Sequence, residues 1–202
     1  MPAKVEDGAA LWLVRHGQTE WSRDGKHTGR TDVPLTTHGE DEARALAPLV
    51  AELRPALVLC SPRMRARHTA DLAGLRIDAI DDDLAEWNYG HYEGLTSAQI
   101  QRDVPGWTIF THGAPGGEDC EQVRARADRV LARAASALAE GPVVLVAHGH
   151  ICRVLGARWI GLPVGGGASL LLDEAAPSVL GAEKNVPVIV HWNRPNPATS
   201  EE

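Results

Sequence analysis

Arg15, His16 and Gly17 follow directly on the apolar run ALWLV (10–14), and His148, Gly149 and His150 follow on a second, VVLVA (143–147). A strand that ends in such groups presents them at the carboxyl edge of a sheet, where open α/β sheets bind ligands. Arginine offers a planar fork of N–H donors that matches phosphate oxygens. Neutral imidazole is a nucleophile toward phosphorus. SPRMRARHTA (61–70) adds further guanidinium groups, at Arg63, Arg65 and Arg67. Glu86 and Glu93, in LAEWNYGHYEG (84–94), are carboxyl groups that could protonate a leaving alcohol. Two arginines, two imidazoles and one carboxyl group would enclose and cleave a phosphoryl group without a metal. His148-x-His150 could ligate zinc, but no cysteine or carboxylate stands at a suitable spacing, so no metal or other cofactor is expected.

The elements that must position these residues alternate between short apolar runs and longer amphipathic ones. That pattern predicts an α/β fold, a three-layer sandwich with helices on both faces of a mostly parallel sheet. Strands are expected over Leu11–Val14, Ala56–Cys60, Arg76–Ile80, Val143–Ala147, Ser169–Leu172, Val179–Ala182 and Val188–His191. Thr37-x-x-Glu40 and Thr96-x-x-Gln99 read as capping boxes, and Ser61-Pro62 reads as an N-cap and first helical residue. The longest helix should follow Gly117, with Val123, Ala127, Val130, Leu131, Ala134 and Leu138 inward and Arg124, Arg126, Arg129 and Arg133 on a solvated face. Gly161 and Pro163 should close the helix that begins near His150.

With 202 residues the chain suits one domain, residues 1–202, with a core over about 10–192 and flexible ends. Its net charge of −7 argues against a broad hold on nucleic acid or anionic lipid. The N-terminus lacks a secretory apolar segment and no run could span a membrane, so a cytoplasmic location is expected. The expected partner is a small phosphorylated substrate; association of identical chains is left open. Cys60, Cys120 and Cys152 form no CxxC pair and read as buried free thiols.

Together, RHG (15–17), SPRMRARHTA (61–70), LAEWNYGHYEG (84–94) and VAHGH (146–150) resemble, in this order, the blocks of the histidine phosphatase superfamily, the phosphoglycerate mutase-like proteins. The resemblance implies that His16 is the histidine that becomes phosphorylated and that Arg15 and Arg65 hold the phosphate. It further implies that His148, with Gly149 beside it, completes the pocket and that Glu86 is the general acid. Ser22 stands where many members have Asn and is given a weaker phosphate-binding role; Thr28 and Gly29 fall in a loop that in relatives lies beside the phosphate. His91 and His150 lie near these blocks, whereas His27, His38, His68, His112 and His191 need no special role. Trp87, Tyr89, Trp107 and Phe110 could wall the substrate site, and Arg153 could reach a distal substrate group or form a helix-surface ion pair.

The resemblance points to the phosphatase branch. The segment from Glu93 to Glu118 is short, its only arginine is Arg102, and it lacks the long insertion with paired arginines of the mutases. Within that branch the chain resembles both fungal sugar bisphosphatases and small mycobacterial acid phosphatases. The former carry paired histidines near the C-terminal end, where this chain has Glu183 and Lys184. The expected activity is therefore metal-independent phosphomonoester hydrolysis through a phosphohistidine, on sugar phosphates or across many esters, with the mutase and a non-catalytic phosphate-binding scaffold as alternatives.

Overall fold

The computed structural model describes residues 6–196; the chain ends expected to be flexible lie outside them. The elements run β1 (Leu11–Arg15), α1 (Glu20–Arg23), α2 (Thr37–Arg44), α3 (Ala47–Leu53), β2 (Leu57–Cys60), α4 (Met64–Leu72), β3 (Ala79–Ile80), α5 (Ser97–Asp103), α6 (Ile109–His112), α7 (Cys120–Ala137), β4 (Val143–Ala147), α8 (Gly149–Trp159), β5 (Ser178–Glu183) and β6 (Val186–His191). They build one six-stranded sheet in the order β3-β2-β4-β1-β5-β6. The pairs β2·β3, β2·β4 and β1·β4 are parallel, and β5 and β6 close one edge antiparallel. None of the helices among the described residues is long and apolar enough to cross a membrane.

Alternation along β4 explains the three layers. Val143, Leu145 and Ala147 join the core under α7 and α8, while Val144 and Val146 join a second core under α3 and α4. A strand with both faces covered must be apolar at every position, which is why VVLVA shows no polar alternation. Helix α7 buries Val123, Ala127, Val130, Leu131 and Ala134 as its periodicity requires.

Several expected boundaries shift for identifiable reasons. The cap of α2 is Thr36, not Thr37: its hydroxyl accepts from the Gly39 amide. The cap of α4 is Arg63 rather than Ser61, whose hydroxyl is engaged elsewhere. Only Ala79–Ile80 of the strand expected over 76–80 pairs with β2. The strand expected over Ser169–Leu172 is absent: Gly165, Gly166 and Gly167 allow a tight 3-10 turn over Val164–Ser169, and Leu171 is exposed, 68% of its surface reaching solvent. Cys60 and Cys152 are buried, with burial pushing the Cys60 thiol up to about 12, whereas Cys120 is only half-buried.

One contact ties the end of β1 to α2. A methyl group on Gly17 would lie 2.2 Å from the Gly39 carbonyl oxygen. Both groups are backbone and cannot swing aside, so Gly17→Ala is expected to destabilise the fold by about 3 kcal/mol, read as a lower urea midpoint at unchanged slope. Wild-type stability in that variant would show that the two segments separate freely.

Candidate active site

Sheet register brings the two histidine blocks together. Arg15 pairs with Ala147 across β1 and β4, and the His16 amide continues the ladder to the Ala147 carbonyl at 3.0 Å. His16 and His148 are thus neighbours at the carboxyl edge, their ring centroids 5.1 Å apart. On the other side of β4, Cys60 pairs with Val146 and the Ser61 amide bonds to the Val146 carbonyl, which sets Ser61 beside His148.

The hydrogen bonds assign the ring protons. His16 Nδ1 lies 2.7 Å from the Gly17 carbonyl, an acceptor only, so Nδ1 carries the proton and Nε2 keeps its lone pair. Arg65 Nε donates to His16 Nε2 at 3.3 Å and to His148 Nδ1 at 3.1 Å. His148 then bears its proton on Nε2 and donates to Ser61 Oγ at 2.6 Å. Burial, followed by the Arg65 charge, holds both imidazoles well below the ordinary histidine range; Arg15 adds to the effect at His16. Neutral rings with aimed lone pairs are the result.

Arg65 is fully buried and is carried there by α4. Its remaining donors bind the carbonyls of Thr31 (2.9 Å) and Thr28 (2.8 Å). The loop of residues 28–31 is fixed in turn by Glu93, whose carboxylate accepts the Gly29 and Thr31 amides. Glu93, one of two acid candidates, is therefore a loop clamp. Gly29 is needed there because a Cβ would stand 2.5 Å from the Trp87 carbonyl oxygen, and it does not line the cleft.

The other acid candidate, Glu86, lines the cleft with Arg15, His16, Ser22, Thr28 and Gly149. The cleft encloses about 250 Å³. Glu86 Oε1 accepts from Trp87 and Ile151 amides and Oε2 from the His150 amide, so the carboxyl group sits on the first turn of α8. Gly149 is the first residue of that helix, and its amide has no intrahelical partner.

Arg15 departs from a simple phosphate fork. Nη1 donates to the Leu172 carbonyl at 2.5 Å and Nη2 to Glu174 Oε1 at 2.6 Å, leaving the buried Nε without a partner. Glu174 is thus the residue that orients Arg15. Ser22 also lines the cleft, and its hydroxyl accepts from the Thr19 amide and donates to the Thr19 carbonyl, completing the capping box of α1 with the cap residue Thr19.

His27 and Arg126, given no role at the site by the sequence, prove to belong to it. His27 lines the cleft and is buried, and that burial lowers its pKa to about 4. His150 lines it too, its Nδ1 hydrogen-bonded to the Tyr89 hydroxyl at 2.5 Å. Arg126, expected on a solvated face, is buried: it pairs with Glu118 and donates to the carbonyls of Asp83 (2.8 Å) and Ala85 (2.6 Å), which positions the segment leading into Glu86. Arg153 lines the cleft, where it could reach a distal substrate group, and among the described residues it forms no helix-surface ion pair; it binds the carbonyls of Gly167 and Ala168. Trp87 packs in the core and donates to the Glu118 carbonyl instead of walling the cleft. His91 lies against Gly116, outside the cleft, and Glu183 and Lys184 sit at the β5–β6 turn.

Known proteins are similar to this chain over most of its length. The profile described as "Histidine phosphatase superfamily (branch 1)" matches residues 11–195. An acid phosphatase of Mycobacterium tuberculosis is 43% identical, over 87% of this chain and 88% of its own length. A sedoheptulose 1,7-bisphosphatase of Saccharomyces cerevisiae is 37% identical, over 75% of this chain and 68% of its own. The solved structure of an open reading frame product of Mycobacterium tuberculosis superposes with a TM-score of 0.91 at 40% identity, covering 94% of this chain and 99% of that one. The chain belongs to branch 1 of the histidine phosphatase superfamily, as a phosphoric monoester hydrolase.

Proposed function

We propose that the chain hydrolyses small phosphorylated metabolites in the cytoplasm, sugar phosphates or a broader set of monoesters, through a phosphohistidine on His16 and without a metal. The observation that carries this reading is the convergence of His16 Nε2 and His148 Nδ1 on one buried arginine donor, Arg65 Nε. A phosphoryl oxygen entering between them takes that donor, and the unpartnered Arg15 Nε supplies another. His16 Nε2 then attacks phosphorus in line; the P–O bond to the alcohol breaks and Glu86 gives the leaving oxygen its proton. In the second half, Glu86 takes a proton from water, the water oxygen bonds to phosphorus and the P–N bond breaks. Charge on the equatorial oxygens is met by Arg15 and Arg65 throughout, and the Gly17 carbonyl on Nδ1 supports the charged ring of the intermediate.

Hydrolysis is favoured over the mutase reaction by what covers the cleft. A mutase must exclude water and hold an intermediate with added cations. Here the segment after Glu93 buries Ile100, Trp107, Ile109 and Phe110, and Arg102, its one arginine, is exposed and away from the cleft.

Phosphate release in EDTA from sugar mono- and bisphosphates, 3-phosphoglycerate and an aryl phosphate tests the reading. Release that EDTA leaves unchanged is expected; isomerisation of 3-phosphoglycerate without release would identify a mutase instead. Glu86→Gln separates the steps. It cannot donate to the leaving oxygen, so kcat/KM is expected to fall by about 100-fold or more for alkyl esters and far less for an activated phenol. Equal losses with both would remove Glu86 from the acid role.

A further inference from the structure

Arg15 and Arg65 are anchored differently. The terminal nitrogens of Arg65 end on the neutral carbonyls of Thr31 and Thr28. Those of Arg15 end on the Leu172 carbonyl and, at 2.6 Å, on the Glu174 carboxylate. Carbonyls suffice to orient a guanidinium at Arg65, so the carboxylate beside Arg15 adds something that orientation does not require, a negative charge.

A second carboxylate belongs to the same cluster. Glu42, on α2, is 3% exposed and accepts the Gln18 amide at 2.7 Å. Its other oxygen lies 3.4 Å from Nε2 of the exposed His38. Burial first of all raises the Glu42 pKa, and the Glu174 charge raises it further, against the pull of the Gln18 amide, His38 and Arg15. Neither Glu42 nor Glu174 lines the cleft, so their charges reach a bound phosphate from behind Arg15.

The backbone that carries Glu174 is held from both sides. The Ala175 amide donates to the Arg15 carbonyl at 3.1 Å, and the Ala175 carbonyl accepts from Asn196 Nδ2. Asp173 exchanges two hydrogen bonds with Asn193. Ala175 is fully buried at a φ of +46°, in the left-handed region that favours glycine. Such a conformation persists where its surroundings impose it, so Glu174 is committed to Arg15.

We infer that Glu174, seconded by Glu42, offsets the charge of Arg15 so that the pocket holds phosphate loosely enough to release it. Glu174 is thus a positioning residue whose charge sets product dissociation. The inference rests on the proposed reading in which Arg15 meets the phosphoryl group at His16. A carboxylate hydrogen-bonded to the same guanidinium repels a phosphate dianion, and a partly buried setting screens that repulsion little. In a loose, metaphosphate-like transition state the equatorial oxygens gain no charge over the bound ester. An uncompensated Arg15 would therefore tighten ester and product without lowering the barrier between them, and turnover would slow as phosphate lingered.

Glu174→Gln keeps an oxygen for Arg15 Nη2 and removes the charge. In that variant the competitive inhibition constant of inorganic phosphate and the KM for an aryl phosphate are expected to fall together by about tenfold, with kcat no higher than in the wild-type protein. Glu42→Gln, which keeps an acceptor for the Gln18 amide, should tighten phosphate in the same direction by a smaller factor. Glu174→Ala removes the acceptor too, so it should bind phosphate less tightly than Glu174→Gln. A purely structural support would weaken phosphate binding in all three. Phosphate affinity in an active Glu174→Gln that equals or falls below the wild-type value overturns the inference. Turnover of no ester by the wild-type protein would instead overturn the phosphatase reading, and this inference with it.

Discussion

His16→Ala is expected to lower kcat by about three orders of magnitude or more while changing the affinity for inorganic phosphate by no more than about tenfold. The split follows from what each atom does. His16 Nε2 is the lone pair held beside the phosphate donors, and its tautomer is fixed by the Gly17 carbonyl. Removing the ring removes the nucleophile. It does not remove the cations: Arg65 stays bound through the Thr28 and Thr31 carbonyls, and Arg15 through Leu172 and Glu174. His148 keeps its proton on Nε2 because Ser61 still accepts it. Turnover and phosphate titration on the same preparation therefore diverge, and trapping with labelled substrate should leave a phosphorylated chain only where His16 is present. Wild-type-like turnover would move the nucleophile to another imidazole of the cleft and sink the proposed mechanism. A parallel collapse of phosphate affinity would instead make His16 a structural support for Arg65.

What is legible in the sequence and what is hidden divide along the range of the interactions. Arg15, His16, His148 and Gly149 are legible because each is delivered by an apolar strand immediately before it, and the register of β1 with β4 does the rest. Glu86 and Arg65 are legible only through the resemblance of the blocks around them. Ser61 misleads because Ser-Pro ahead of a helix has a local meaning as a cap, whereas its actual partner, His148, is 87 residues away. Arg126 misleads for the same reason: helical periodicity assigns a face but cannot show that Glu118 and the carbonyls of Asp83 and Ala85 wait on that face. His27 has no neighbour in sequence to mark it, since the rings around it come from positions 89, 107 and 150. Glu174 falls just beyond the stretch whose expected strand does not form; without the turn at Val164–Ser169 that brings the following residues back, nothing connects it to Arg15.

Lowering the pH below about 6.5 is expected to cost the ligand-free protein several kcal/mol of stability. His16, His27, His148 and His150 are all held neutral, with pKa values below the ordinary histidine range, by burial first of all. Well above about 6.5 neither the folded nor the unfolded chain protonates these rings, and they contribute no pH dependence. Below it the unfolded chain takes up protons that the folded chain refuses, so stability is lost progressively as pH falls toward the folded values, about 4 for His27. Each refused proton costs about 1.4 kcal/mol per pH unit, and the four rings act in the same direction. Urea titrations at stepped pH check this; a midpoint unchanged between about pH 7 and pH 5 would mean that the cluster takes protons while folded. Inorganic phosphate should oppose the loss, because it binds only the folded chain. The acid limb of activity is then set by unfolding before the nucleophile is protonated, and saturating substrate, by filling the same pocket, should carry turnover to lower pH than the empty protein survives.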